Sequence, residues 1–391
     1  MNLKALRRGV AALCLTLPLA ACAGVGSGDE SGTFTIGVAS GQSGYLSPFD
    51  TAILAGVKER VAQLNKDGGL AGKYRIEVKV KDTRSDIGDQ ATATQAMVDD
   101  GADALVLACD SDPSIAGGQI AQRAKVIAFG CPANPEKIGS YLFQMFVPER
   151  MNPTVLAQYA KREKLNKAFL LGSSDTAYTQ NGVAYFKSAF TGIGGTIAGE
   201  GNFALDQQDF ATLVAKIKSS GADVIMTTLY EPGIVSFLKQ LRGAGVDIPV
   251  LGDSLETPGV FALADSARGE LAYTAIADTN PGTPVGDYLD TIRKTYGADQ
   301  ANVYALLGND IVCALDAAVR KTGSTDPESL APAVAKLTNV EGVGGSFSYN
   351  WPGAGQTQLR QIFVKQPEGE GRSKILWSTT PDPAALPKVI E

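Results

Sequence analysis

The sequence predicts an α/β protein built from two doubly wound lobes with parallel sheets, and three observations lead to this prediction. Segments with apolar residues at every second position alternate along the chain with segments of helical periodicity. The chain has 391 residues, more than one hydrophobic core of ordinary size accommodates. A strand–helix–strand unit also occurs twice, at well-separated positions.

The first predicted unit is a strand, a helix and a second strand. Phe34, Ile36 and Val38 alternate with other residues and predict a strand over residues 33–39. A helical pattern follows over residues 53–64, and alternation returns over residues 76–80. Strands joined through a helix need a crossover connection, which makes them parallel. The same pattern is expected to continue to the end of the chain, with strands over residues 104–109, 125–130, 167–172, 224–229, 248–252 and 271–277.

The repeated unit begins with the same three residues in both places. Gly-Ala-Asp at residues 101–103 opens a strand, a polar loop with a proline, a helix and a second strand, and Gly-Ala-Asp at residues 221–223 opens the same series. Gly-Ala-Asp before a strand is also common turn chemistry. The matching order of elements favours an internal duplication.

The N-terminal residues resemble the export signal of a bacterial lipoprotein. Three basic residues precede an apolar stretch at residues 10–19, which is too short to cross a bilayer comfortably as a permanent helix. The stretch ends in Leu19-Ala20-Ala21-Cys22, similar to a lipobox, whose cysteine is acylated. We expect a signal peptide at residues 1–21, a lipid anchor at Cys22 and a flexible tether within residues 22–32. The alternative is a plain secretory signal that leaves Cys22 as an ordinary thiol.

Composition excludes most catalytic chemistry. The chain has no histidine, so it has no Ser-His-Asp triad, no Cys-His pair and no imidazole base. It has no phosphate-loop, C-x-x-C or dinucleotide-binding motif, so no cofactor and no metal is expected. The formal net charge of −6 argues against nucleic acid as a partner. No second apolar run of membrane-spanning length follows Cys22, so contact with the membrane is expected only through the anchor.

Three cysteines remain besides Cys14 in the signal and Cys22 at the anchor. Cys109 and Cys131 each follow or end an apolar strand-like run, and adjacent parallel strands would bring such ends within bridging distance. The alternatives are a Cys109–Cys131 disulfide and two small buried thiols. Cys313 lies on an apolar helical face and is expected in the core.

Ligands of open α/β sheets bind beyond the carboxyl ends of the strands. Several short motifs occur along the chain in a fixed order: residues 35–41, residues 65–72, Asn134-Pro135-Glu136, Tyr178, and Tyr230 with Pro232. In this order they resemble the motifs of type I periplasmic binding proteins of the leucine/isoleucine/valine-binding kind, the substrate-binding components of ABC transporters.

The resemblance implies two Rossmann-like lobes joined by three crossover segments, near residues 146–148, 275–278 and 349–353. It places residues 33–147 and 276–350 in the N-terminal lobe, and residues 148–275 and 351–391 in the C-terminal lobe. A ligand would lie between the lobes, which close over it by a hinge motion and present the closed form to the permease.

The resemblance also implies the site residues of the first lobe. In relatives that hold aliphatic amino acids, a Ser hydroxyl and backbone N–H groups bind the ligand carboxylate. The hydroxyl role falls on Asp110 or Ser111, and the N–H role on Cys131 and Ala133. An ionised Asp110 would repel a ligand carboxylate, whereas one inserted residue would put Ser111 in that place.

On the second lobe, the resemblance assigns Tyr178, Tyr230 and Asp253 to the ligand ammonium group. Tyr45 in the first loop is expected to cover the ligand's side chain. Each tyrosine could instead be a half-buried core ring, and Asp253 a solvated turn or cap.

Together these features predict a monomeric, lipid-anchored extracytoplasmic binding protein, not an enzyme. It would deliver a small polar solute, an amino acid or amide-like compound, to the permease subunits of an ABC importer. One alternative is a ligand-sensing receptor component with the same two-lobe fold. Another is a surface hydrolase that uses Asp110 and Asp253 as paired carboxylates.

Overall fold

The first sheet has five parallel strands. The computed structural model describes residues 32–132, 135–253, 255–351 and 356–390. The strands are β1 (Thr33–Ser40), β2 (Arg75–Asp82), β3 (Ala104–Leu107), β4 (Ile127–Gly130) and β5 (Leu142–Gln144). They lie in the order β2-β1-β3-β4-β5. The four strands predicted for this sheet, β1 to β4, are confirmed. The fifth, β5, was not predicted, because its three residues are too few to show a period.

The next five strands along the chain form most of the second sheet and repeat this arrangement. These are β6 (Lys167–Gly172), β7 (Thr196–Asn202), β8 (Val224–Thr227), β9 (Val250–Asp253) and β10 (Leu271–Ala275). Their order, β7-β6-β8-β9-β10, is the order of the first sheet. β7 was not predicted because it is an edge strand without a clear alternation of buried and exposed residues.

The last part of the chain departs from the β-α-β pattern. The strands β11 (Val340–Gly342), β12 (Gly345–Ser348) and β13 (Leu359–Arg360) form a small antiparallel sheet. The strands β14 (Ile362–Gly369) and β15 (Arg372–Thr379) form a hairpin, and β14 pairs antiparallel with β10. The prediction that the alternating pattern continues to the end is therefore wrong, because these short connections join antiparallel strands.

Helices connect the parallel strands and cover the sheets. They are α1 (Ser47–Lys66), α2 (Ile87–Asp99), α3 (Ser111–Ala124), α4 (Met151–Arg162), α5 (Ala177–Gly192), α6 (Ala211–Ser220), α7 (Gly233–Gly243), α8 (Pro258–Phe261), α9 (Asp265–Arg268), α10 (Pro284–Tyr296), α11 (Tyr304–Thr322) and α12 (Pro327–Val334). Among the described residues, no helix combines the length and the apolar character needed to span a membrane.

The repeated Gly-Ala-Asp segments make the same contacts in the two sheets. The Asp103 carboxylate accepts a hydrogen bond from the Thr35 N–H at 2.7 Å, and the Asp223 carboxylate accepts one from the Lys167 N–H at 2.8 Å. In both places the aspartate binds the backbone near the start of the neighbouring strand, β1 in the first sheet and β6 in the second. The repeated unit therefore occupies equivalent positions in the two lobes.

The small antiparallel sheet belongs with the first lobe. Arg360 on β13 forms a buried ion pair with Asp310 on α11, with 2.8 Å between Nη1 and Oδ2, and α11 packs against α1. Because β13 pairs with β12, the predicted lobe boundary between residues 350 and 351 lies inside one sheet. We therefore place the third crossing at residues 360–362, between β13 and β14, instead of residues 349–353.

The helices α1 and α11 approach closely at two glycines. A Cβ atom on Gly56 would lie 1.9 Å from the Ala305 carbonyl oxygen, and one on Gly308 would lie 2.0 Å from the Ile53 carbonyl oxygen. Real Cβ atoms do not approach backbone oxygens this closely, so the two helices can pack at this distance only because both positions lack a side chain. This packing ties the chain after β10 back to the first sheet.

We expect Gly308→Ala to lower the free energy of unfolding by at least about 2 kcal/mol, because the added methyl group forces the two helices apart. Gly243→Ala is the matched control, since Gly243 also lies in a helix but has no atom near its added Cβ. That variant should be neutral or more stable by up to about 1 kcal/mol. Urea denaturation followed by circular dichroism measures both, and equal effects would contradict the assigned role.

Candidate ligand-binding site

The predicted site residues lie at the carboxyl ends of the parallel strands in both lobes. Tyr45 is in the loop after β1, Asp110 precedes α3, and Asp253 is the last residue of β9. Tyr178 is in the first turn of α5, and Tyr230 follows β8. The three tyrosine rings are exposed, Tyr45 by 63% and the other two by 40% each, so they are not core residues.

On the first lobe, Tyr45 and Asp110 form a pair. The Tyr45 hydroxyl donates to Asp110 Oδ2 at 3.0 Å, and Asp110 Oδ1 accepts from the Ser111 N–H at 2.7 Å. Asp110 is therefore the N-cap of α3. Burial raises the pKa of Tyr45 to about 12, and its hydrogen bond to Asp110 adds to the rise.

A second acidic residue of this wall, Asp50, lies within electrostatic reach of Asp110. Its side chain is buried and accepts hydrogen bonds from the Gly41 N–H at 2.7 Å and the Cys109 N–H at 2.9 Å. It thereby joins α1 to the loops after β1 and β3. Burial raises the pKa of Asp50 to about 7 against these two hydrogen bonds, and the charge of Asp110 raises it further.

The loops after β3 and β4 are joined by a disulfide between Cys109 and Cys131, whose Cα atoms are 4.7 Å apart. The Cys131 N–H donates to Ser114 Oγ at 2.8 Å, and that hydroxyl donates to the Ala108 carbonyl at 2.7 Å. The Cys131 N–H is thus used within the lobe. Ala133, the other predicted donor, lies outside the described residues, as does the predicted anchor Cys22. Cys313 is a buried free thiol.

On the second lobe, Tyr178 and Asp253 form the corresponding pair. The Tyr178 hydroxyl donates to Asp253 Oδ2 at 2.5 Å. Asp253 Oδ1 accepts from Asn152 Nδ2 at 2.9 Å and from the Thr274 hydroxyl at 2.7 Å. Burial raises the pKa of Tyr178 well above its usual value, and the charge of Asp253 adds to this.

Glu149, just before α4, adds a further carboxyl group. Burial raises the pKa of Glu149 to about 7, a hydrogen bond from Asn181 opposes the rise, and the charge of Asp253 contributes to it. In the neighbouring Asn152, the side-chain oxygen is buried and has no hydrogen-bond partner. The second wall therefore presents acceptors.

The two walls are within electrostatic reach of each other. Burial raises the pKa of Tyr230 on the second lobe, and the charge of Asp110 on the first lobe adds to that rise. Burial likewise raises the pKa of Tyr304 at the start of α11, with a contribution from Asp253 on the second lobe. The Tyr304 ring stacks on Phe146, with centroids 6.3 Å apart. Tyrosines and carboxylates of the two lobes thus lie within electrostatic reach of one another at these strand ends.

A family model described as periplasmic binding protein matches residues 33–367. The chain belongs to the periplasmic binding protein family. This confirms the predicted family and fold class, and with them a binding protein and not an enzyme. Membership also implies a location outside the cytoplasm.

Individual relatives of this periplasmic binding protein are distant. The Leu/Ile/Val-binding protein homolog 3 of Brucella melitensis is 24% identical over 341 residues, which cover 84% of this chain and 90% of the relative. The leucine-, isoleucine-, valine-, threonine-, and alanine-binding protein of Pseudomonas aeruginosa is 22% identical over 312 residues, covering 78% and 83%.

Two solved structures with different ligands have the same fold. The substrate binding protein LivJ of Streptococcus pneumoniae, in complex with isoleucine, superposes with a TM-score of 0.74 at 22% identity, covering 90% of this chain and 100% of LivJ. A solute binding protein of an ABC transporter from Rhodopseudomonas palustris BisB5, in complex with 3,4-dihydroxy benzoic acid, gives a TM-score of 0.74 at 21% identity, covering 90% and 99%.

Sequence reasoning missed several side chains of this periplasmic binding protein's cleft. Glu149 and Asn152 directly follow the first predicted crossing, and a search for polar residues at that crossing would have found them. Asp50 could have been suspected as an acid in the first turn of α1. Tyr304 carries no local signal, because only the packing of α11 against α1 brings it to the cleft.

We expect the stability that Asp50 contributes to depend on pH. Its folded-state pKa of about 7 lies above the ordinary 3.8, so between these values the folded protein holds a proton that the unfolded chain has released. This stability is present at low pH and lost as pH rises through about 7. The advantage of the wild type over Asp50→Asn should therefore shrink with rising pH, by up to about 1.4 kcal/mol per pH unit. Urea denaturation at several pH values tests this, and a constant difference would contradict it.

Proposed function

We propose that this chain is a lipid-anchored solute-binding protein that delivers a small polar solute to an ABC importer by closing its two lobes. The observation that supports this best is the pair of Tyr–Asp contacts on facing walls, Tyr45 with Asp110 and Tyr178 with Asp253. The exposed rings and fixed carboxylates offer both apolar and polar contacts to a ligand between the lobes. Relatives named for amino acids, and a structural neighbour bound to an aromatic acid, support a small organic solute.

The proposed crossings between the lobes have distinct structural settings. The first follows β5 at residues 146–148, the second begins at the last residue of β10 and spans residues 275–278, and the third lies at residues 360–362. Next to the second crossing, the buried Lys365 forms ion pairs with Glu256 and Asp278 and donates to the Thr279 hydroxyl at 3.0 Å. This network ties Asp278 and Thr279 to the second lobe, so bending at this crossing would fall outside these two residues.

Closure of the lobes would supply part of the binding free energy by removing water from the rings. An open pair of walls exposes Tyr45, Tyr178 and Tyr230 to solvent, and a ligand bridging the walls would cover them. The ligand would thereby favour the closed arrangement over the open one, which is the requirement for a ligand-driven conformational change.

Binding is tested by thermal unfolding of the purified protein against amino acids, amides, amines and aromatic acids. A ligand at 100 times its dissociation constant should add about 2.7 kcal/mol of stability. We expect Tyr230→Ala to weaken binding of any compound that stabilises the wild type by about tenfold or more, because it removes an exposed ring from the cleft wall. Ile193→Ala, which removes a similarly exposed side chain beyond the far end of α5, is the control and should bind normally. If no compound stabilises the wild type, the proposal fails.

The anchor is tested separately by growing bacteria that express the full chain with an alkyne-bearing fatty acid. We expect the wild type to incorporate the label and to sediment with membranes, and Cys22→Ala to lose both properties. Cys313→Ser, which changes a buried thiol, should keep both. An unlabelled wild-type protein would show that Cys22 is not acylated.

A further inference from the structure

On the first wall of the cleft, aspartate side chains of the protein already accept hydrogen bonds from backbone N–H groups that could otherwise bind an anion. The N–H groups of Gly41 and Cys109 donate to Asp50, and that of Ser111 donates to Asp110. The N–H groups of Gln42 and Ser43 both donate to Asp82 Oδ1, at 2.9 and 3.2 Å. The carboxyl ends of parallel strands and helix N-termini are the usual anion sites of such sheets. Here aspartates of the chain itself occupy those sites.

The charge of the wall is not balanced by nearby cations. Within the part of the chain that the structure describes, Asp50, Asp110 and Asp112 of this wall take part in none of the ion pairs with lysine or arginine, and neither does Glu149 of the second wall. A ligand carboxylate placed against Asp110 would therefore meet a like charge with no compensating group, which is unfavourable in a desolvated cleft.

The second wall supplies an independent observation. Asn152 is only 4% exposed, and its Oδ1 has no hydrogen-bond partner although its Nδ2 is held by Asp253. A buried acceptor without a donor is costly, so this oxygen is poised for a donor that the protein does not provide. An ammonium or amidinium group is such a donor.

Taking the proposed function as given, we propose that the ligand is a small organic cation without a carboxylate group, which places a positively charged nitrogen against Asp110. The exposed Tyr45 ring beside Asp110 and the Tyr230 ring on the opposite wall can pack on this cation. The family resemblance instead puts the ligand carboxylate at this position, so the inference separates this chain from relatives that bind amino acids.

Asp110 also has a structural role, as the N-cap of α3, but that role does not require its charge. Only Oδ1 is used for capping, and asparagine caps helices about as well. The Asp110→Asn variant therefore keeps the cap and the approximate shape while removing the charge.

The test is isothermal titration calorimetry on the purified protein with matched pairs of compounds. Each pair has the same carbon chain and carries either an ammonium or a carboxylate at one end: diamines of three to six carbons against the corresponding ω-amino acids, benzylamine against benzoate, and isopentylamine against 3-methylbutanoate. We expect the tightest ligand to be an amine, with a preference of at least about tenfold over its carboxylate partner. Asp110→Asn should reduce that preference by about tenfold or more, whereas Asp99→Asn, an exposed acid at the end of α2, should leave it unchanged.

The outcomes separate this inference from the proposed function. If an amino acid or aromatic carboxylate binds as tightly as its matched amine, the protein binds solutes but the cation assignment is wrong. If amines are preferred and Asp110→Asn keeps that preference, the charge lies elsewhere and the role of Asp110 is overturned. If no compound binds, the proposed function itself fails.

Discussion

The structure depends on one constraint: parallel strands leave their backbone N–H groups and helix N-termini at a single edge, and those groups need acceptors. In the first lobe, side chains of the chain itself meet this need. Asp50 holds the loops after β1 and β3, and Asp110 caps α3. The same side chains that fix the loops also set the charge of the cleft.

This double use explains why the cleft combines rigid loops with an acidic surface. Asp50 is held by two N–H groups yet is buried, and its pKa rises to about 7 despite those hydrogen bonds. Glu149 on the other wall shows the same rise to about 7 for the same main reason, burial. A ligand that brings positive charge would relieve both groups, because a nearby cation favours the ionised carboxylate. Rigidity and ligand charge therefore have a common origin.

Most of the fold could be predicted from the sequence because its strands are short apolar runs between amphipathic helices. The exceptions have physical reasons: β5 is too short to show a period, β7 lies at a polar edge, and the C-terminal strands pair across short connections. The positions of the candidate site residues could be predicted to the level of loops, and Tyr45, Asp110, Tyr178 and Asp253 do lie at the expected strand ends. That these four residues form two hydrogen-bonded pairs depends on side-chain packing, which periodicity does not encode.

Contributions from distant parts of the chain could not be predicted for the same reason. Tyr304 is at the start of α11, and Gly56 and Gly308 let that helix approach α1 closely. The Cys131 N–H likewise donates to Ser114 because α3 packs on β4. The family resemblance implied that this N–H would bind the ligand, but here the lobe itself uses it. Contacts behind the strand ends thus decide which backbone N–H groups the chain itself engages there.

The most direct test of the central claim is native mass spectrometry of the ligand-stripped protein after incubation with a whole-cell metabolite extract. The account predicts one bound small molecule per chain, and fragmentation should show a basic nitrogen and no carboxylate. Recovery of an amino acid or another carboxylic acid as the bound species would contradict it.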